Sequence, residues 1–534
     1  MTRSARWTIV LTIIISSIGI VVSSVIFAFQ QVRPHARGWV EHWLEAKYES
    51  DVDLAEFDIS VWPRVHVEGA GLVLRYHGRT DLPPLLAIRR FHVDTSLRHL
   101  FRVPRHVDHV YMEGMQINLP PRGSSENPMS KGAHGVGGGS AAGSIVVDEI
   151  VAEKVILMIL PKKKENLPQD YDISRLAMHS GGPNGSMKYH AILSNPVPPG
   201  DIISTGTFGP WSSAEPSATP VTGDYTYQRA DLSVFHGIGG ILSSQGKFTG
   251  PLDTLEVEGT TDTPDFVVTS GGHKIHLTTK FTATVDGTNG DTRLEPVEAS
   301  FRNTVLVTSG SVEGKPGQHG KTIALDLSSR GARLEDLLRL AVKGEPTMTG
   351  AVRLNTKFLL PPGAADISDR LFLDGSFQID AAHFTNPGVQ QKFDQLSNRS
   401  RGQTGDDEQD YNVASGMKGK FRLVTGQITF SGLNFHVPGA EIELAGTYGI
   451  DQGIMDFHGR LFMDAKLSQT MSGPKSFFAK VLDPFFSKNG HGTVLPIKIT
   501  GTVDQPQYGL DFHRKKEEKE KEKAKEGMTP GARN

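Results

Sequence analysis

Residues Phe421 to Met463 read FRLVTGQITFSGLNFHVPGAEIELAGTYGIDQGIMDFHGRLFM, and their spacing decides the fold class. Apolar residues fall on alternate positions: Phe421 and Leu423, Ile428 and Phe430, Leu433, Phe435 and Val437, Ile442 and Leu444, Met455 and Phe457, Leu461 and Met463. Successive side chains of a strand point to opposite faces, so each run reads as a strand with one apolar and one polar face. The same alternation returns at Ile497, Ile499 and Val503. Gly is 58 of 534 residues and sits between such runs with no collagen-like period, which predicts many strands and many turns.

Upstream, Val65 and Val67, Leu72 and Leu74, Phe91 and Val93, and Val110 to Leu119 alternate in the same way. Ile275, Leu277, Phe281 and Val285 share one parity and lead into Asp286-Gly287-Thr288-Asn289-Gly290-Asp291, a turn, with the next strand expected near Phe301 to Val307. Helical spacing appears at His35 to Tyr48 (Trp39, Val40, Trp43, Leu44, Tyr48), at Arg333 to Val342 (Leu334, Leu337, Leu338, Ala341), at Asn386 to Asn398 (Val389, Phe393, Leu396) and over Ser476 to Phe486. Helices this short and amphipathic are expected to cover the apolar face or the end of a sheet.

Trp7 to Phe29, WTIVLTIIISSIGIVVSSVIFAF, carries no charge, and at ~1.5 Å per residue it spans a hydrocarbon core of roughly 30 Å. A cleavable signal is the alternative, but the apolar run is too long for one and no A-x-A site follows. Arg3 and Arg6 precede the span and place the N-terminus in the cytoplasm, with Arg33 and Arg37 on the far side pulling the other way. Everything after Gln30 is then expected on one side of that membrane. The predicted division is 1–31 stub and anchor, 32–122 N-terminal unit, 123–143 Gly/Ser-rich linker, 144–328 first β unit, 329–513 second β unit with short helices, and 514–534 charged tail.

The chemistry is sparse. Cysteine is absent, which removes disulfides, thiolate metal sites and cysteine nucleophiles together, and a net charge of -3 without a basic stripe gives nucleic acid no footing. Gly317-Gln318-His319-Gly320-Lys321-Thr322 lacks the first glycine of a phosphate loop, Gly310-Ser311-Val312-Glu313-Gly314 reads as a turn and not a nucleophile elbow, and Gly237 to Leu242 lacks the third glycine of a dinucleotide fingerprint. His106 and His109, three apart on a strand, point to opposite faces and do not converge on a metal. Asp51 and Asp53 fit no calcium loop, and Asp406 to Asp410 read as an acidic surface loop. No catalytic residue, cofactor or metal site is expected.

An internal echo is sharper. Gly259-Thr260-Thr261-Asp262-Thr263-Pro264 and Gly501-Thr502-Val503-Asp504-Gln505-Pro506 both read G-T-x-D-x-P, and both are expected to end a strand in the same turn. With the run Phe91 to Leu100, Gly416 to Phe421, Gly432 to Ala440 and Glu443 to Tyr448, the echo makes the chain resemble the AsmA-like family of envelope proteins over nearly its whole length. The resemblance implies a mainly β fold: a transmembrane helix followed by a long, curled, groove-like antiparallel sheet with a few short helices. It also implies an inner-membrane anchor, a periplasmic body and a role in outer-membrane biogenesis, with phospholipid and envelope proteins as partners. About 25 strands at ~4.8 Å would extend on the order of 120 Å, while larger members of the family are several times longer than this chain. A short carrier or an assembly accessory is therefore expected.

The residues expected to line an acyl-chain groove are Phe421, Leu423, Ile428, Phe430, Leu433, Phe435, Ile442, Leu444, Phe457 and Leu461. Ordinary sheet core is the bland alternative at each. Two other functions stand beside the lipid reading: a non-transporting scaffold or chaperone that binds through strand edges, and, more distantly, an enzyme on glycans or lipids.

Overall fold

The computed structural model describes residues 37–511 except 39, 43, 46–49, 62–63, 77–82, 101–104, 120–144, 160–168, 181–184, 211–217, 270, 288, 316–319, 343, 404–410, 451, 467–468, 471–491 and 503–504. The expected span Trp7 to Phe29, the Gly/Ser-rich stretch, the acidic loop, the helix expected over Ser476 to Phe486 and the charged tail lie outside the described residues. Among the described residues no helix is long and apolar enough to cross a membrane. Those residues are mainly β, with 24 strands and a few short helices. They form two compact units, one of the described residues up to Gln228 with Gln245–Val257 and Val285–Gly290, the other of Arg229–Ser244, Glu258–Thr284 and the described residues from Asp291 onward.

The strands of the first stretch are β1 (Ser50–Ser60), β2 (Val65–Tyr76), β3 (Leu86–Thr95), β4 (Arg105–Leu119), β5 (Ile145–Ile159), β6 (Gln169–Ser180), β7 (Met187–Pro196), β8 (Pro199–Phe208) and β9 (Pro220–Asp231). Each pairs antiparallel with the next, except that β4 and β5 run parallel, from Arg105 opposite Ile145 to Leu119 opposite Ile159. The sheet is thus not antiparallel throughout, as expected above. A parallel pair needs its chain carried back to the starting end, over about a dozen residues or more. Residues 120–144, which hold the Gly/Ser-rich stretch, provide that length and join two paired strands within one unit.

Helical backbone precedes β1 at residues 37, 38, 40–42, 44 and 45, and Leu44 packs on Val52, Leu74 and Leu85. The main core of this unit gathers Ile88, Met115, Ala152, Val155, Ile173 and Ala191 on one face of the sheet. Its apolar parity changes within strands. Met112 and Met115 pack on the same side although they are three apart, as do Phe91 and Ile88, and Ile173 and Leu176. The changes sit at Gly71 (φ 65°), Gly114 (φ 67°) and Lys154 (φ 56°), and at the register shift between Ile173 and Arg175. Such irregularities re-aim side chains and increase local twist, and here they lie on neighbouring strands.

The remaining strands are β10 (Ile238–Gly239), β11 (Ile241–Pro251), β12 (Leu255–Val268), β13 (Ile275–Asp286), β14 (Asp291–Phe301), β15 (Thr304–Gly314), β16 (Lys321–Arg333), β17 (Met348–Leu360), β18 (Phe372–Phe384), β19 (Ser415–Val424), β20 (Gln427–Val437), β21 (Ala440–Gly449), β22 (Ile454–Met463), β23 (Thr493–Thr502) and β24 (Pro506–Leu510). From β14 to β24 every strand pairs antiparallel with its successor in sequence. The point expected to divide two units, 328/329, falls inside β16.

Two of the expected helices form in this second unit. In Leu334–Ala341, Leu334 and Leu337 pack on Ala332, Met348, Val352, Ile379 and Ala382. Its Asp336, 1% exposed, accepts from Arg302 Nε (3.1 Å), Asn303 N (3.0 Å) and Thr304 Oγ1 (2.9 Å), which pins the β14–β15 turn beneath it. In Pro387–Ser400, Asn386 Oδ1 caps Gly388 N (2.9 Å) and Val389 N (3.3 Å), Pro387 opens the first turn, and Phe393 stacks on Phe384 with centroids 4.3 Å apart.

Three local expectations change. The stretch Phe301 to Val307 is not one strand, because β14 begins directly at Asp291 and Arg302, at φ 50°, turns the chain between β14 and β15. Gly310 to Gly314 is the end of β15 and not a turn. The two G-T-x-D-x-P segments differ: Gly259 to Pro264 lies inside β12, whereas at the second copy Gly501 (φ 94°) and the Gln505 N to Thr502 O bond (3.1 Å) end β23. In the first copy the Asp262 carboxylate meets His276 Nε2 at 2.5 Å on the next strand, so it does not close a turn.

Candidate functional site

The ten residues singled out near the C-terminus share one face of the second unit. Residues directly opposite on paired strands project to the same side. Phe421 faces Phe430, Leu423 faces Ile428, Leu433 faces Leu444, and Ile442 lies between Phe435 and Leu461. Phe457 lies opposite Gly446, itself opposite Phe430, and the two rings stand 5.8 Å apart. Ser431-Gly432 forms a bulge against β21, with Gly432 at φ 66°, and the extra residue lets Phe430 and Leu433 stay on one side.

Leu423, Phe435 and Leu444 are buried and the other seven are half-buried. Towards one end, Phe393 and Leu396 of the helix Pro387–Ser400 cover Phe435, Val437, Ala440 and Met463. Along the strand order the face runs to β24, where Tyr508 and Leu510, opposite Ile499 and Ile497, are 74% and 46% exposed.

The first unit holds a cavity that period-two reading does not find. It measures about 510 Å³, its wall is built by β4 to β9, and Phe248, Leu252, Leu255 and Gly287 complete it. Met115, Val155, Ile173 and Leu193 represent the wall, and no charged side chain lines it. From β4 to β9 the wall crosses five inter-strand spacings, about 24 Å at ~4.8 Å each. That exceeds one leaflet's share of a hydrocarbon core, about 15 of roughly 30 Å.

The polar atoms in the wall are turned to one another. Tyr171 OH donates to Gly287 O at 3.2 Å. Ser204 Oγ donates to the Asp224 carbonyl at 3.1 Å and accepts from Tyr189 OH at 3.0 Å. Burial, assisted by the Asp286 carboxylate, pushes the Tyr171 phenol up to about 12. Burial likewise raises Tyr189. The cavity therefore offers methyl, methylene and ring surface, with hydrogen bonds already spent, and suits an apolar occupant.

Comparison with other proteins adds no likeness. No family model, curated protein or solved structure matches this chain. The functional reading accordingly rests on the geometry and on the sequence.

The opposite face of the first sheet is polar and rich in histidine. His66, Asp94, His109, Glu149 and His179 stand directly opposite one another across β2 to β6. His66 Nδ1 meets Asp94 at 2.6 Å and His109 Nδ1 meets Glu149 at 2.6 Å. His106 is held separately by Asp148 at 3.0 Å, so the two histidines noted in the sequence serve different carboxylates on β5. Hydrogen bonds donated to the carboxylates of Glu68 first and Asp94 second raise the His66 imidazole above its ordinary value. Of the segment resembling a phosphate loop, residues 317–319 lie outside the described residues, and Lys321 opens a strand where such a loop would open a helix.

Proposed function

We propose that this chain is an inner-membrane-anchored envelope protein of AsmA-like type, whose body lies in the periplasm and holds phospholipid acyl chains against apolar sheet faces. The observation that carries the reading is the charge-free cavity of the first unit, whose volume of about 510 Å³ and apolar lining suit a hydrocarbon chain. The apolar face of the second unit, from Phe421 to Leu461, is a further surface of the same character. Each Å² of acyl surface taken from water there contributes about 25 cal/mol, so no cofactor and no chemical step is needed. The anchor reading comes from Trp7 to Phe29 and Arg3 and Arg6.

A scaffold or chaperone for outer-membrane protein assembly is the second reading. What favours it is β24, which pairs with β23 and carries the exposed Tyr508 and Leu510.

Native mass spectrometry of the full chain released from membranes, followed by lipid extraction, separates the two. The acyl-chain reading expects bound phospholipid that is lost when Leu157 and Leu193 are replaced by Asp, or when Phe430 and Leu433 are. A folded chain that carries no lipid overturns it and leaves the scaffold.

A further inference from the structure

The polar face of the second unit carries a group of cations that the acyl-chain reading does not use. Lys418, Lys420 and Arg422 occupy alternate positions of β19 and are all exposed. Their cross-strand neighbours are Gln378, Ser376 and Asp374 on β18, and Asn434, Ser431 and Thr429 on β20. Among the described residues, neither Lys418 nor Lys420 has an ion-pair partner, and a single carboxylate, Asp374, stands in register with the three. Two exposed arginines of this unit are paired, Arg353 with Asp380 at 2.6 Å and Arg460 with Glu443 at 3.1 Å.

The two unpaired lysines are set in a hollow. A depression of about 650 Å³ is lined by Lys418, Lys420, Arg353, Asn355, Gln378 and Ser431, among others. The Ser431-Gly432 bulge shapes one side of it, and a Cβ at Gly432 would meet nothing within 4 Å, so the space there is bare. Lys418 and Lys420 are two residues apart, about 7 Å along the strand at ~3.4 Å per residue, and both ammonium groups can reach one polyoxygen anion. Arg353 presents its fork from the neighbouring side, partly spent on Asp380, as is the Gln378 amide at 2.9 Å, and the Asn355 amide and the Ser376 and Ser431 hydroxyls can donate hydrogen bonds.

We propose that this hollow is a binding site for a phosphate-bearing ligand. A phosphate has enough oxygens to accept from two lysines and from the neutral donors at once, and charge-assisted bonds of this kind are about twice as strong as neutral ones. The source is either a phospholipid headgroup or a soluble phosphate compound, and both present the same oxyanion. The proposal does not rest on the acyl-chain reading, since the hollow lies on the other face of the sheet.

The test uses the full chain in detergent with two probes. Inorganic pyrophosphate is titrated by calorimetry, and flotation is measured with phosphatidylcholine vesicles with or without phosphatidylglycerol. The variant is Lys418→Ser with Lys420→Ser. The control, Lys247→Ser with Lys280→Ser, removes the same charge from two other exposed positions. Loss of two charge-assisted contacts is expected to weaken binding about tenfold or more, and the control is expected to match the unaltered chain. Pyrophosphate binding with that dependence supports a phosphate site open to soluble ligands. Binding confined to phosphatidylglycerol vesicles, with the same dependence, identifies the lipid headgroup as the source. No binding of either probe, or equal loss in variant and control, overturns the proposal. The pyrophosphate titration involves no lipid, and the acyl-chain test replaces residues of the apolar faces, so a failure of this proposal and a failure of the acyl-chain reading are distinguishable.

Discussion

Replacing Tyr171 by Phe removes one oxygen from the wall of the first unit's cavity and leaves the ring in place. The phenol donates to the buried Gly287 carbonyl at 3.2 Å, so the variant deletes a hydrogen bond and leaves an acceptor unpaired in an apolar setting. The expected loss of stability is about 1–3 kcal/mol, most of it the desolvation of that carbonyl. The same tyrosine titrates at about 12 where an ordinary one titrates at 10.0. Its folded form therefore binds the proton more tightly than its unfolded form. The associated stability, on the order of 2–3 kcal/mol, is fully present below about pH 10 and is lost as the pH climbs towards 12. Tyrosinate absorbance and urea unfolding, each followed from about pH 9 to about pH 12, read both effects. The Phe variant should lack the late-titrating tyrosine and unfold at lower urea. An unchanged late titration together with an unchanged urea midpoint would refute the apolar, buried setting described for Tyr171.

His66, raised by Glu68 and Asp94, should contribute stability that is fully present below its ordinary value of 6.5 and fades as the pH rises through the higher folded value. Unfolding curves of His66→Gln should lack that slope, and parallel profiles for the two proteins would show the pairing absent in solution. Asp336→Ala removes the acceptor shared by Arg302, Asn303 and Thr304, and should cost about 2–3 kcal/mol by urea denaturation, since it leaves the buried Thr304 hydroxyl without its acceptor and breaks the other two bonds. Gly446→Ala should cost about 1–3 kcal/mol, because its Cβ would fall against the backbone of Asp456 and Phe457, which has no rotamer by which to retreat. A loss under a few tenths of a kcal/mol at Gly446 would mean that β21 and β22 are not paired as described.

How far the fold could be read from the sequence depended on strand regularity. From Phe421 to Met463 the parity holds strand by strand, with its one extra residue at Ser431-Gly432 falling between Phe430 and Leu433, so counting by two gathered all ten residues on one face. Between β2 and β6 the same counting fails, because Gly71, Gly114, Lys154 and the shift at Ser174 each change parity within a strand. The cavity was hidden for that reason, and also because Phe248, Leu252, Leu255 and Gly287 reach it from distant parts of the chain. Arg302-Asn303 turns the chain with neither Gly nor Pro, so the strand expected over Phe301 to Val307 ran through a turn. The echo at Gly259 and Gly501 shows that one shared pattern can continue one strand and end another, according to what the neighbouring strands accept. The parallel pairing of β4 and β5 left no local mark, since it depends on which edge the chain returns to.

The most direct test of the central claim places a photo-reactive benzoylphenylalanine at Leu193 in the cavity wall, at Phe430 on the second apolar face, or at the outward His190. The full chain is irradiated in its native membranes and its adducts are weighed by mass spectrometry. The account predicts phospholipid adducts at Leu193 and Phe430 and none at His190. Adducts absent from both apolar positions, or equally frequent at His190, would contradict it.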